Sequence, residues 1–266
     1  MSERNPQAKQ MADESMVRNL TAQADAIWPQ EEPIIRGHGS PRDILDVGCG
    51  TGEISSRLAT LFPTAQVTGV DLIEPHLALA RSRYAAFGDR LRFQQADAFE
   101  LPFEARSFDL VVCRHMLQAV PTPERVIAEM VRVTRPGGRV HLLVEDYDMI
   151  HASGTGDVSS FWHVAPRVFG GATGTDLHIG RNAIGHLRRL AVDDIHTHYA
   201  IVDTERVPRA TFATIFEAWR DGYANDIAGY LGWSPADVRA QFDATIECVR
   251  TGYAVWFVPI VTARVR

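Results

Sequence analysis

The chain has 266 residues, 45% of them apolar and 23% charged, the mix of an ordinary globular protein with ample length for a closed core, so a largely disordered chain is excluded. Lys and Arg number 27 against 33 Asp and Glu, a net charge of −6, and the basic footprint of a dedicated nucleic-acid binder is missing. No apolar run approaches the ~20 residues that span a bilayer, the opening residues lack the apolar stretch of a secretory leader, and three cysteines without metal-ligand spacing suit a reducing compartment, so a cytoplasmic protein is expected.

Residues 1–40 read as a polar cap with one helix. Met16, Val17, Leu20, Ala24 and Ile27 recur at helical spacing, and Pro29 and Pro33 are expected to end it. From residue 43, short apolar runs alternate with amphipathic stretches. DILDVG (43–48) is a strand followed by a glycine-rich turn, and 54–61 is a helix stopped at Pro63. QVTGVD (66–71) is a second strand, 74–87 a helix, and LRFQQAD (91–97) a third strand. FDLVVC (108–113) is apolar enough for a strand buried on both faces. Pro123 to Thr134 is a helix stopped by Arg135-Pro136-Gly137-Gly138, and RVHLLVED (139–146) is a fifth strand. This alternation implies βαβ units and a parallel, doubly wound sheet with right-handed crossovers.

The regularity breaks after residue 147. Residues 151–176 hold five glycines around FWHVAPRVF and are expected to be a flexible active-site loop. Residues 177–191 resume as a helix and 194–204 as a strand. Two helices follow, 211–231 and 235–251, then a last strand, 251–265. The two late strands are expected to pair antiparallel at one edge of the sheet. The expected organisation is a helical cap (1–40), a Rossmann-like core (41–204 and 251–266) and a helical insertion or lid (205–250). The aromatic stripe of the insertion, Phe212 to Tyr230, suits core packing, a substrate lid or the face of a homodimer.

The most informative segment is Asp46-Val47-Gly48-Cys49-Gly50-Thr51-Gly52, between the first strand and first helix. Glycines there let the backbone turn sharply and approach a ligand, and the helix N-terminus offers unpaired N–H groups. The dinucleotide fingerprint G-x-G-x-x-G needs a glycine where Glu53 stands. Carboxylates at Asp46 and Glu53 would repel a pyrophosphate. They suit a cationic ligand without phosphate, such as S-adenosylmethionine.

The chain here resembles the class I S-adenosylmethionine-dependent methyltransferases of the broad methyltransferase 11 group, through ILDVGCGTGEIS (44–55), GVDLI (69–73), QADAFELPF (95–103), FDLVVCRHMLQAV (108–120) and RVTRPGGRVHLLVED (132–146). The resemblance implies a seven-stranded sheet with one antiparallel strand, 253–265. It implies that the backbone of Gly48, Cys49 and Gly50 cradles the cofactor, with Asp46 close by. Asp71 would hold the ribose hydroxyls and Leu72 pack on adenine. Asp97 would accept from the adenine amino group while the Ala98 N–H donates to the ring. Arg114 would sit beside the methionine moiety, whose carboxylate Arg18 could pair with. The product would be S-adenosylhomocysteine.

His115, just past the fourth strand, is the candidate base or substrate contact, because unperturbed imidazole titrates near neutrality. Glu145 and Tyr147 follow the fifth strand at the edge where ligands lie. With Trp162 and His178, beside the long loop, they are the candidate substrate-binding residues. No metal is expected. His196 and His198 near Asp193 and Asp194 fall short of a converging ligand set, and the Asp-Asn pair of metal-dependent relatives is absent. The expected reaction moves a methyl group in line to an N or O atom, less readily C, of a small aromatic or heteroaromatic metabolite, as in secondary metabolism. The alternatives are an RNA or protein methyltransferase working with a partner, a noncatalytic cofactor-binding protein, and a nicotinamide oxidoreductase.

Overall fold

The apolar runs become strands because alternate residues face opposite sides of the sheet and both sides are covered. In β1 (Asp43–Val47), Ile44 meets one layer of helices while Leu45 and Val47 meet the other. In the computed structural model, which describes residues 6–153 and 158–266, the elements before β1 are α1 (Ala8–Met11) and α2 (Glu14–Arg36). After β1 come α3 (Glu53–Leu61), β2 (Gln66–Asp71), α4 (Glu74–Arg83), β3 (Leu91–Gln95), β4 (Phe108–Arg114), α5 (Pro123–Val133) and β5 (Thr134–Leu143). Then follow β6 (Ile150–Ser153), α6 (Val158–Thr173), α7 (Ile179–Leu187), β7 (Val192–Asp203), α8 (Arg209–Leu231), α9 (Pro235–Thr251) and β8 (Tyr253–Val265).

Strands β3-β2-β1-β4-β5 lie side by side and parallel, in that order. β8 runs antiparallel beside β5, with Arg139–Leu143 against Ile260–Arg264, and antiparallel beside β7. The antiparallel pair thus stands at this margin as expected, with β8 inside and β7 outermost. All seven expected strands form. The four residues of β6, which pair with the start of β8, add an eighth.

One face of the sheet packs on α2 and α3, the opposite face on α5 and α7. A third apolar cluster joins α2, α6, α8 and α9 around the first half of β8, with Trp256 fully buried at its centre.

Three expectations are corrected. The first helix does not stop at its prolines: α2 runs 23 residues through Pro29 and Pro33. Each proline forfeits one backbone hydrogen bond, but Ile27, Trp28 and Ile35 are buried along this stretch, and that burial outweighs the local penalty. Residues 158–173 of the supposed flexible loop are an α-helix, α6. Phe161, Trp162, Ala165 and Phe169 are each no more than 4% exposed on its inner side, while 154–157 lie outside the described residues. Glycine-rich composition concealed this helical spacing. Finally, the Arg135–Gly138 segment belongs to β5 rather than to a turn, with an irregular register against β4.

Candidate functional site

The five parallel strands end along one edge, and the residues just past those ends converge there. Gly48 and Gly50 follow β1, with φ of +73° and +52°, a region that disfavours side chains. A Cβ on Gly48 would lie 2.9 Å from Met116 Cγ, and one on Gly50 2.8 Å from Leu20 Cδ1. Asp71 ends β2. One of its carboxylate oxygens accepts from the Gly50 N–H and the other from the Ile73 N–H, both at 2.8 Å. Burial raises its pKa above the usual carboxylate value, against the pull of those two N–H groups.

These strand ends border a chain of four cavities in which each shares walls with the next. The first, of about 460 Å³, is lined by Gly48, Asp71, Leu72, Asp97, Ala98 and Met116. The second, of about 480 Å³, shares Gly48, Asp71 and Met116 and adds Gly50, Arg114 and His115. The third, of about 340 Å³, shares His115 and Leu20 with the second and adds Asn19, Gln23, Gln118 and Glu145. The fourth, of about 500 Å³, is an aromatic chamber between Tyr147, Phe161, Trp162, Trp219, Tyr223 and Phe242. With Phe169, four of its aromatics come from α6 and α9 and two from α8, so the late helices build this wall.

His115 is the hinge of the arrangement. It is only 7% exposed and holds a left-handed backbone, φ +52°, an uncommon conformation for a side-chain-bearing residue. Two hydrogen bonds fix it there: its N–H to Leu143 O at 3.1 Å, and its carbonyl from Gln118 Nε2 at 2.7 Å. Its Nδ1 lies 2.6 Å from Glu145 Oε1, and Glu145 is 1% exposed. A carboxylate only accepts, so Nδ1 carries the proton in the neutral ring and Nε2 is left as an acceptor.

Beneath the site lies a buried polar chain that sequence reasoning missed. Arg114 Nε is 2.9 Å from Glu31 Oε2 of α2. Glu31 Oε1 is 3.0 Å from His141 Nε2, and His141 Nδ1 is 3.1 Å from His38 Nε2. Burial works against the charge on Glu31, but Arg114 and the His141 hydrogen bond hold its carboxyl below the ordinary value. Burial pushes the His38 imidazole down to about 3, and the neighbouring His141 adds to the shift.

The strand-end candidates Gly48, Gly50, Asp71, Leu72, Asp97, Ala98, Arg114 and His115 all line the first two cavities, and Glu145, Tyr147 and Trp162 line the others. Four candidates are not brought to a cavity wall. Asp46 is buried below the glycine turn, where its carboxylate accepts from Ser55 Oγ at 2.6 Å. The Cys49 side chain is buried and its thiol pKa is raised by burial. Arg18 stays half-exposed on α2, paired with Glu14 at 3.0 Å and Asp221 at 3.1 Å. His178 joins Asp148 at 3.2 Å outside the chamber. There Asp146, Asp148 and His178 bring potential ligand atoms together, but Arg181 already spans both carboxylates and Arg167 meets Asp148. Gln7, Met11 and Leu20, from the N-terminal cap, also line the cleft; in the sequence Leu20 reads only as part of an apolar stripe, and Gln7 and Met11 carry no signal.

The cavities suit the expected nucleoside. Among the described residues, carboxylates at Asp71 and Asp97 and no lysine or arginine line the first cavity, which favours ribose and base over phosphate. The glycine turn leaves the close backbone approach that a sulfonium-bearing chain would need.

Residues 44–138 match the family model described as "Methyltransferase domain". A demethylmenaquinone methyltransferase of Thermus thermophilus is 36% identical over 126 residues, 47% of this chain and 57% of that protein. The 27-O-demethylrifamycin SV methyltransferase of Amycolatopsis mediterranei is 42% identical over 101 residues, 37% of each chain. The chain thus spans about half the length, or less, of these curated relatives. The fold is similar to that of Haemonchus contortus phosphoethanolamine N-methyltransferase 2, with TM-score 0.62 and 20% identity over all of this chain and 60% of that one. Over residues 44–138, this chain is thus similar to methyltransferase domains, and along its whole length its fold is similar to that of a solved N-methyltransferase.

Proposed function

We propose that the chain transfers a methyl group from S-adenosylmethionine to an N or O atom, less readily C, of a small aromatic or heteroaromatic metabolite. The observation that carries this reading is the adjacency of the cavities: the one that Asp71 and Asp97 line shares walls with the one at His115, which in turn shares walls with those leading to an aromatic chamber. S-adenosylmethionine supplies the electrophilic methyl when bound. Asp71 would hold the ribose, and Leu72, Asp97 and Ala98 the adenine. Arg114 would meet the methionine carboxylate in place of Arg18. The chain's own task is to align the nucleophile and keep water out, and positioning alone supplies up to roughly 7–11 kcal/mol in the best model systems.

The relatives support the substrate class: one is named for demethylmenaquinone and another for a demethylrifamycin. The helices of 205–250 act in this reading as the chamber wall. The three cysteines are unpaired, in keeping with a reducing, cytoplasmic setting, and no helix among the described residues is long and apolar enough to cross a membrane.

Calorimetry tests the reading with S-adenosylmethionine, S-adenosylhomocysteine and NADH. Micromolar binding of the first two, weakened roughly 10- to 100-fold in Asp71→Ala by loss of hydrogen bonds to a charged group, is expected. Binding of NADH instead would sink it.

A further inference from the structure

Six buried polar atoms around one cavity have no hydrogen-bond partner among the described residues: Asn19 Oδ1, Gln23 Oε1 and Nε2, His115 Nε2, Gln118 Oε1 and Glu145 Oε2. Folded proteins pair nearly all such atoms, so a cluster of this kind marks a place for a ligand. Five of the six accept and one donates. Two of these assignments are anchored by neighbours: the Gln118 amide N–H is given to the His115 carbonyl, and Glu145 holds the His115 Nδ1 proton. The complementary ligand therefore brings donors.

The adjoining chamber sets the rest of the ligand. Its walls are mostly aromatic and aliphatic, with the amides of Gln7 and Gln118 among them, and no lysine or arginine among the described residues lines either it or the polar cavity. The one polar group of Trp162 is turned away, its Nε1 donating to Thr245 Oγ1 at 3.1 Å. A phosphate, sulfonate or carboxylate would find no lysine or arginine among the described lining residues and would lose its hydration.

Resting on the methyl-transfer reading above, we infer that the acceptor is an uncharged hydroxylated aromatic compound, its hydroxyl held among these six atoms and its apolar body in the chamber, with His115 as the catalytic base and Glu145 as its positioning residue. The hydroxyl proton passes to His115 Nε2. The acceptor oxygen forms its bond to the methyl carbon as the carbon–sulfur bond breaks, and that electron pair stays on sulfur, leaving a thioether. The positive charge that began on sulfur ends on the imidazolium, against Glu145. Glu145 also keeps the reactive nitrogen free, because its Oε1 occupies the other one.

The test uses the full chain with and without S-adenosylhomocysteine, and 4-nitrocatechol as a coloured acceptor mimic. Below the free compound's first pKa, binding to the wild type is expected to raise the phenolate absorbance and quench tryptophan fluorescence. 4-Nitroanisole, which lacks the donor, is expected to bind at least ~10-fold more weakly, the equivalent of one buried hydrogen bond, and 4-nitrophenyl phosphate not to bind. His115→Ala should bind 4-nitrocatechol without the phenolate signal. Glu145→Gln should reduce that signal more than it reduces affinity, with folding of both variants checked by circular dichroism. A bound but un-ionised 4-nitrocatechol in the wild type, or 4-nitroanisole binding equally well, overturns the proposal. If S-adenosylhomocysteine binds while 4-nitrocatechol does not, the substrate class falls and the cofactor reading stands. If S-adenosylhomocysteine fails to bind, the cofactor reading falls and the 4-nitrocatechol signal still decides the role of His115 and Glu145.

Discussion

Glu31 is fully buried on α2, with Arg114 at 2.9 Å and His141 at 3.0 Å. Glu31→Gln keeps the shape and removes the charge, so the guanidinium beneath the cleft loses its counter-ion. At an effective dielectric near 20, charges at that separation attract by about 6 kcal/mol. Desolvation offsets part of this, and breaking one half of a buried pair typically costs about 3–5 kcal/mol. With an unfolding entropy of roughly 2.1 cal/mol/K per residue, a chain of 266 residues should lose about 5–9 °C in Tm. Urea denaturation with an unchanged slope reads the free energy directly. The acid limb is a second readout. The folded carboxyl titrates below its ordinary value, so its contribution is present above about pH 4.5 and is lost as pH falls through the folded value. Glu31→Gln should remove that limb. The double variant Glu31→Gln/Arg114→Met should recover much of the loss, since a buried pair and an apolar pair are often similar in stability. A loss below ~1 kcal/mol, or a double variant no more stable than the single one, would refute the reasoning and mean that Arg114 is solvated from the cleft.

Asp46 titrates the opposite way. Burial pushes its carboxyl up to about 6 despite the Ser55 hydrogen bond, so the folded state holds the proton longer and stability falls as pH rises from about 4 to about 6. Asp46→Asn should therefore gain up to about 3 kcal/mol over the wild type at pH 8, with the gain gone below about pH 4 in paired urea melts. Gly50→Ala forces a side chain into the left-handed region and toward Leu20, and should cost about 1–2 kcal/mol and weaken S-adenosylhomocysteine binding at least tenfold by calorimetry. Trp162→Ala should cost about 3–5 kcal/mol by cavity formation, and Thr245→Val about 1–3 kcal/mol by leaving the indole N–H unpaired. Neither residue lines the first two cavities, so affinity for S-adenosylhomocysteine should hold in both. Arg18→Ala should change stability by less than ~1 kcal/mol, as expected for an exposed ion pair, and leave that affinity unchanged. A tenfold loss would return Arg18 to the site.

The nucleoside end of the cleft was legible because its residues are tied to strand ends. Once β1, β2 and β4 are read from apolar runs, Gly48, Asp71 and His115 must lie on one edge. The other end was legible only in part: Glu145 and Tyr147 follow β5 and Trp162 stands out beside the long loop, but the remaining walls come from helices whose packing no local pattern fixes. Gln7, Leu20, Trp219 and Phe242 meet only through tertiary contact. The buried chain left a fainter trace. Glu31 stands four residues from both Ile27 and Ile35, so it lies on the apolar stripe of α2 rather than its wet face. His141 interrupts an apolar strand between Val140 and Leu142. The continuation of α2 through two prolines and the helical character of α6 were hidden because local propensity is overridden by burial.

The position of β8 bears on how the molecule is built. It is the last of the eight strands to leave the ribosome, yet β5, β6 and β7 all pair with it, and its Trp256 ring packs beside both His115 and Trp219, at centroid distances of 6.0 and 5.3 Å. Until those residues emerge, β5 and β7 have no common neighbour and present open strand edges that invite intermolecular pairing. The nucleoside half can assemble early from neighbouring βαβ units. The reacting half waits for the final strand, so a nascent chain stopped at residue 251 should be protease-sensitive beyond β5 while its first four strands resist digestion.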